Sequence, residues 1–460
     1  MELVIVFVVF VLAMVGLTRP YIGLLALLIV MELQPGELYP QLAPLHLERV
    51  VAGLLLIAFL VHGQKWRFPT PIKWFLGFFG AMILSVPLAF WRANALGTCF
   101  WYGEIVVFVI FVAALLTTEQ RIKWFILTDI LLVDWLGGSA LWNYAHGVLI
   151  VRMNIDRAIG ITSSAGDPDT LAITVLVTIP LCLALMTKSN PLWMRVIALA
   201  SAGVYVVTIV DTGSRAAASG VLFLVLLVVF RRPRNLIYLP VLVALSPVVW
   251  MVIPQQYKAR YETVDNLKTD LSYQNRILSW QGGMAMFESN PVTGIGAGDY
   301  IAANGMKYWP GNGRKVFLNA HSLYFKLLGE LGLVGIFTFG GYLFCVFKLN
   351  FRLRKELVAV NASPFLQGLP AMLSIILALL LFDGYAAHNL YRDMWFLVGA
   401  MASSTASLPV LQQQVTETEG DELGAPASPV IDQQWSPALL PALRGQVPTQ
   451  VPQPGIRLRT

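Results

Sequence analysis

A chain of 460 residues that is 57% hydrophobic and 13% charged carries about half the charge density of a soluble domain, where roughly a quarter of residues are charged. That excludes an ordinary soluble enzyme and predicts a polytopic membrane protein, so length counts spans rather than soluble domains. The net charge of +6 sits mostly in short loops such as Arg231-Arg232-Pro233-Arg234 and residues 348–355, a topology signal and not a nucleic-acid surface.

In chain order, apolar segments cover residues 3–17, 21–34, 48–63, 72–90, 98–116, 122–141, 169–187, 195–211, 216–230, 236–253, 321–347, 365–383 and 390–408. A span takes about 20 residues. The first three are short, which leaves 12 to 13 transmembrane helices. The opening run lacks a basic leader and a small-residue cleavage site, so it reads as a retained span. Cys99, Cys182 and Cys345 each lie inside an apolar segment and read as small hydrophobes.

Lys65/Arg67/Lys73, Arg121/Lys123, Lys188/Arg195, Arg231–Arg234 and residues 348–355 fall on one side if the segments alternate. The positive-inside rule makes that side cytoplasmic. Residues 35–47, 91–97, 142–168, 211–215, 254–320 and 384–389 then face outward. The 254–320 stretch is too long for a connector. Within it Ile277, Trp280, Met284 and Phe287 recur at helical spacing, which predicts an amphipathic helix on the membrane surface. Gly294-Ile295-Gly296-Ala297-Gly298 follows as a turn; without a flanking strand and helix it is no dinucleotide loop. The two domains expected are a membrane unit over 1–408 and a Pro/Gln/Thr-rich cytoplasmic tail over 409–460, too polar to bury a core.

Titratable and cationic groups converge on the outer face. Arg215 lies at the turn Asp211-Thr212-Gly213-Ser214-Arg215, Arg276 in Tyr273-Gln274-Asn275-Arg276, and His321 at the start of a span. Taken singly, each has a bland reading as a snorkelling arginine, an interfacial charge or a helix-start residue. Together they suit an anionic lipid head: the guanidinium fork grips phosphate with two parallel donors, and an imidazole of ordinary pKa about 6.5 suits general-base work. Arg152 and Arg157 add positive charge in the 142–168 loop, with Arg157 the stronger candidate. Asp167-Pro168-Asp169 reads either as an acidic metal pair or as a helix cap at Asp169 or Thr170, and the proline favours the cap. No other carboxylate cluster suggests a metal, so neither metal nor cofactor is expected. Glu330 lies nine residues past His321, half a turn out of phase and roughly 13 Å along a straight helix. It is expected to bond to a neighbouring span.

The ordered set Arg157-Ala158-Ile159-Gly160, Asp167-Pro168-Asp169, Thr212-Gly213-Ser214-Arg215, Asn275-Arg276 with Trp280, Asn290-Pro291-Val292-Thr293-Gly294-Ile295-Gly296, and His321-Ser322 with Glu330-Leu331-Gly332 resembles the O-antigen ligase family. These bacterial inner-membrane glycosyltransferases share a core with O-antigen polymerases and protein O-oligosaccharyltransferases. The likeness covers roughly residues 155 to 345. Family members often carry Asn where this chain has Asp169. Thr18-Arg19-Pro20-Tyr21 resembles a branch of O-glycosylation ligases linked to exopolysaccharide systems.

The resemblance implies an all-α, GT-C-like integral membrane fold with one large periplasmic loop. It also implies transfer of a glycan from undecaprenyl pyrophosphate to lipid A-core; attack on the anomeric carbon from the face opposite the phosphate then predicts inversion. By residue matching, Arg215 and Arg276, with Arg157 beside them, would hold the pyrophosphate or glycan, and His321 would act on the reacting hydroxyl. A polymerase or a protein O-oligosaccharyltransferase would use the same donor. A lipid-linked glycan transporter is the rival of another class, disfavoured because the polar residues gather at one membrane face rather than at the midplane of repeated halves.

Overall fold

The computed structural model describes residues 2–152, 155–162, 166–231, 271–311, 315–387 and 389–411. The expected span at 236–253, His388 and the tail from 412 lie outside these residues. The helices are α1 (Glu2–Thr18), α2 (Pro20–Leu33), α3 (Leu47–Val61), α4 (Thr70–Ser85), α5 (Arg92–Leu115), α6 (Glu119–Ala145), α7 (Pro168–Leu185), α8 (Leu192–Thr212), α9 (Arg215–Phe230), α10 (Leu271–Ser289), α11 (Leu323–Ala359), α12 (Pro364–Asp383) and α13 (Met394–Ala406). Among the described residues nine helices are long and apolar enough to cross a membrane, accompanied by the shorter apolar helices Val6–Thr18, Arg215–Phe230 and Met394–Ala406. The protein is a multi-pass, all-α membrane protein.

Helix starts follow from local sequence. Proline occupies the first turn of α2, α4, α7 and α12, where its missing N–H costs nothing. Thr118, Ser214 and Ser363 cap α6, α9 and α12 through their hydroxyls. The apolar faces then divide between protein and lipid. Phe75, Phe78, Tyr102, Phe339 and Phe396 interlock in the core, with Phe75 and Phe396 stacked at 3.9 Å. On α11, Phe337, Phe344 and Phe351 repeat every seven residues and are 69%, 67% and 65% exposed, a lipid-facing stripe that water would not tolerate.

α11 is interrupted at Gly332 (φ 56°, ψ −151°). The break frees backbone groups that pair with residues 291–296. Leu333 N–H donates to Pro291 O at 2.8 Å and Val334 N–H to Val292 O at 3.0 Å, while Ile295 N–H reaches Gly329 O at 2.9 Å and Gly296 N–H reaches Glu330 O at 3.1 Å. The glycine turn is thus sewn into the helix rather than lying free in a loop.

The helix expected around Ile277–Phe287 exists as α10, and a second side of it packs against the protein. Ser279, Gly282, Gly283 and Met286 are the buried side, while Met284 is 41% exposed. The glycines decide this. A Cβ on Gly282 would meet Asn304 Oδ1 at 2.2 Å, and one on Gly283 would meet Tyr300 Oη at 2.5 Å, so their lack of a side chain permits the close approach.

Candidate functional site

A two-stranded antiparallel hairpin, Ile150–Arg152 with Ile155–Arg157, delivers Arg157 to the C-terminal end of α8. Ala158 N–H donates to Asp211 O at 2.9 Å. The Arg157 side chain, 1% exposed, donates from Nε to Thr212 O at 2.5 Å and from Nη2 to Asp169 Oδ1 at 2.8 Å. A buried guanidinium demands such partners. The Asp167-Pro168-Asp169 triplet resolves as a cap with Asp167 as its capping residue: Oδ1 accepts from Asp169 N at 3.0 Å and Thr170 N at 3.3 Å. Sequence reasoning set the cap two or three residues too late, because Asp169 is occupied by Arg157.

The His321 segment is held from three sides. Ser279 Oγ donates to Asn319 O and Trp280 Nε1 to Ala320 O, each at 2.9 Å. Leu323 N–H donates to Gly384 O at 2.6 Å at the end of α12. Trp280 also stacks on Phe325 at 5.2 Å. His321 itself sits at φ 43°, a left-handed conformation uncommon for a non-glycine residue and a frequent companion of functional positions.

His321 lines a cavity of about 750 Å³ shared with Asp167, Asp169, Lys326, Tyr391 and Arg392, a volume in the range that holds organic ligands. Among the described residues the lining includes neither Arg215 nor Arg276. Arg215 opens α9 three residues after Thr212, the carbonyl on which Arg157 is anchored. Arg276 lies within electrostatic reach of Asp383, which also feels Arg392 and Asp169. Asp383 is not itself on the cavity wall, but it accepts from Asn389, which is.

Glu330, fully buried, does not pair with His321. Its carboxylate accepts from Gly298 N–H at 2.9 Å, Tyr300 N–H at 3.2 Å and the Tyr391 hydroxyl. Lys326 Nζ stands 3.9 Å away and 5.1 Å from the centre of the Tyr391 ring. As expected, Glu330 ties neighbouring segments together. Next to it, Asp299 accepts from Trp91 N at 2.7 Å and Asn94 Nδ2 at 2.8 Å. Burial pushes its carboxyl above the ordinary range, and these two donors pull it part of the way back.

Sequence reasoning missed Lys326, Tyr391, Asp383, Glu32, Asp129 and Asp393. Charged residues inside apolar segments were the available signal for most of them. Arg392 donates to Thr174 Oγ1 at 2.8 Å and Thr170 O at 2.7 Å, clasping α7.

A family model described as O-Antigen ligase matches residues 198–340. No curated protein matches the chain. The matched segment contains Arg215, Arg276, the 290–296 turn, His321 and the Gly332 break, all in the order that the sequence resemblance requires. Through this segment, a little under a third of its length, the chain is similar to the O-antigen ligase family.

Proposed function

We propose that this protein is an O-antigen ligase of the bacterial inner membrane. It transfers a polysaccharide from undecaprenyl pyrophosphate to a hydroxyl of lipid A-core at the periplasmic face. The observation that supports it most is His321: an imidazole in a left-handed turn, pinned by Ser279 and Trp280, on the wall of a cavity large enough for sugar.

In the proposed reaction the acceptor hydroxyl attacks the anomeric carbon from the face opposite the phosphate. A glycosidic C–O bond forms, the anomeric C–O bond to pyrophosphate breaks, and the hydroxyl proton passes to His321. Configuration inverts. Arg215 and Arg276 neutralise the charge that develops on departing undecaprenyl pyrophosphate, commonly a large catalytic contribution, and Arg157 fixes the loop beside them. The donor arrives activated, so no metal or cofactor enters this scheme. The catalytic unit is residues 1–408 in a GT-C-like arrangement, with 254–320 as its periplasmic loop.

The test is His321→Ala and Arg276→Ala expressed in a host lacking the gene, with lipopolysaccharide resolved on a gel. A ligase defect leaves bare core and accumulates lipid-linked polymer at the periplasmic face. Core carrying one repeat would mark a polymerase, an unglycosylated protein acceptor a protein O-oligosaccharyltransferase, and donor trapped on the cytoplasmic leaflet a transporter; each of these outcomes overturns the ligase reading.

A further inference from the structure

The transfer scheme leaves one cation of the His321 cavity unused. Lys326, in the first turn of α11, lines the same cavity as His321 and is only 9% exposed. Its counter-charge holds it loosely: Nζ stands 3.9 Å from Glu330 Oε1, beyond hydrogen-bond length. Glu330 has little more to offer, because its oxygens already accept from Gly298 N–H, Tyr300 N–H and the Tyr391 hydroxyl. The other contact of Lys326 is the Tyr391 ring, whose centre is 5.1 Å away. A ring face attracts a cation less strongly than a charge-assisted hydrogen bond does.

An ammonium group offers three donors, and among the described residues Lys326 Nζ makes no hydrogen bond. Asp129 Oδ2 and Asn389 Oδ1 also have no partner, but both are sealed from the cavity. Lys326 Nζ is not sealed. A cation this deeply buried and this weakly compensated is costly, and an anionic oxygen entering the cavity would offset that cost. Other charges on the lining do not compete for it. Arg392 gives its terminal nitrogens to Thr174 and Thr170. Glu104 has Arg49 at 2.8 Å and Asp169 has Arg157 at 2.8 Å, while Arg392 acts on Glu32 and Asp393.

We propose that Lys326 is a phosphate-binding residue of this cavity, whose ammonium turns from Glu330 to an oxygen of the pyrophosphate on the lipid-linked donor. Lysine meets phosphate as a point charge on a flexible stem, so Nζ can swing while the helix keeps its place. The start of α11 adds the positive end of a helix dipole beside it. Among the described residues the lining holds neither Arg215 nor Arg276, so a phosphate beside His321 meets Lys326. The assignment rests on the glycosyl-transfer reading above, and it adds a residue that touches the leaving group.

The experiment is equilibrium binding to the full chain in phosphatidylcholine nanodiscs, with farnesyl pyrophosphate as the probe and farnesol as its uncharged match. Lys326→Gln is expected to weaken farnesyl pyrophosphate about tenfold or more and to leave farnesol within about twofold. Lys326→Arg keeps the charge and is expected to stay within about threefold of wild type. Should Lys326→Gln not fold, Lys326→Met, which keeps the length of the stem, takes its place with the same expected loss. Farnesyl pyrophosphate binding unchanged in the uncharged variant, or both probes weakened alike as a purely structural lysine requires, overturns the proposal. So does displacement of the probe by phosphatidylglycerol added to the nanodiscs, which would assign Lys326 to a phospholipid head. Because binding needs no turnover, a chain that binds as expected but transfers no glycan loses the reaction and keeps the phosphate ligand. One that transfers glycan while Lys326→Gln binds the probe like wild type does the reverse.

Discussion

Gly294 and Gly332 meet back to back: a Cβ placed on Gly332 would lie 2.8 Å from the Gly294 nitrogen, and one on Gly294 would lie 2.2 Å from the Glu330 carbonyl carbon. Both have positive φ, +70° and +56°. Two pieces of sequence nearly forty positions apart are thus halves of one joint, which breaks α11 and docks the 291–296 turn into the break. The joint carries Glu330 on one side and Asp299 on the other, and so ties α5, α11 and Tyr391 into one frame.

Gly332→Ala is expected to be among the most damaging single-methyl changes in the chain. Its φ 56°, ψ −151° belongs to a region open essentially to glycine, and the methyl would sit 2.6 Å from Pro291 O. The strain alone is about 1–3 kcal/mol. Thermal unfolding in detergent should show a clear drop in midpoint, with Gly340→Ala, where a Cβ meets nothing within 4 Å, as the near-neutral control.

Removing the Glu330 carboxylate strands three donors and Lys326 in a buried site. For Glu330→Ala we expect a loss on the order of 3–5 kcal/mol, visible as poor membrane accumulation or a collapsed unfolding midpoint. A stable, fully active Glu330→Ala protein would show that the joint does not depend on it.

Asymmetry is expected between the partners of the Arg157–Asp169 pair. Arg157 is 2% exposed at its side chain and Asp169 is 39% exposed. Arg157→Ala should therefore cost several-fold more stability than Asp169→Asn, and Arg157→Lys should not rescue it, because a point charge cannot serve Thr212 O and Asp169 together. Comparing unfolding midpoints of the three variants checks this.

Trp280→Phe keeps the stack on Phe325 but loses the 2.9 Å bond to Ala320 O. The bond is worth about 1 kcal/mol, so folding should survive. As a positioning residue, Trp280 is expected to affect kcat by about tenfold through the His321 turn while leaving donor KM within twofold. A proportional fall in folded protein instead would reduce Trp280 to a structural role.

The pH response at Asp299 has a definite sign. Its folded pKa is raised by burial, so the folded state holds the proton more tightly than the unfolded chain. The stability contributed by Asp299 is complete below the ordinary carboxyl value of about 4 and declines as pH climbs through the raised value. Wild type should therefore exceed Asp299→Asn by the widest unfolding margin near pH 4, narrowing towards neutrality. A margin that widens with pH would reverse the assignment.

The spans, the capping prolines and serines, the family motifs and the isolation of Glu330 from His321 are all legible in the residue order. Each depends on near neighbours: hydropathy over a window, a cap within three residues, a phase angle along one helix. The protein-facing side of α10 was not legible in the residue order, because Gly282 and Gly283 allow Asn304 and Tyr300 an approach that no hydrophobic pattern forecasts.

What the chain order could not supply is convergence. Asp129 belongs to the middle of one helix, Glu32 to the end of another and Asn389 to a short turn, and their meeting at one cavity wall arises from how helices cross. Local sequence sets the polarity of each segment because hydration and backbone geometry act within a few residues. The companions of a buried carboxylate are chosen only when distant segments pack, since an unsatisfied acceptor registers no cost until water has been excluded from it.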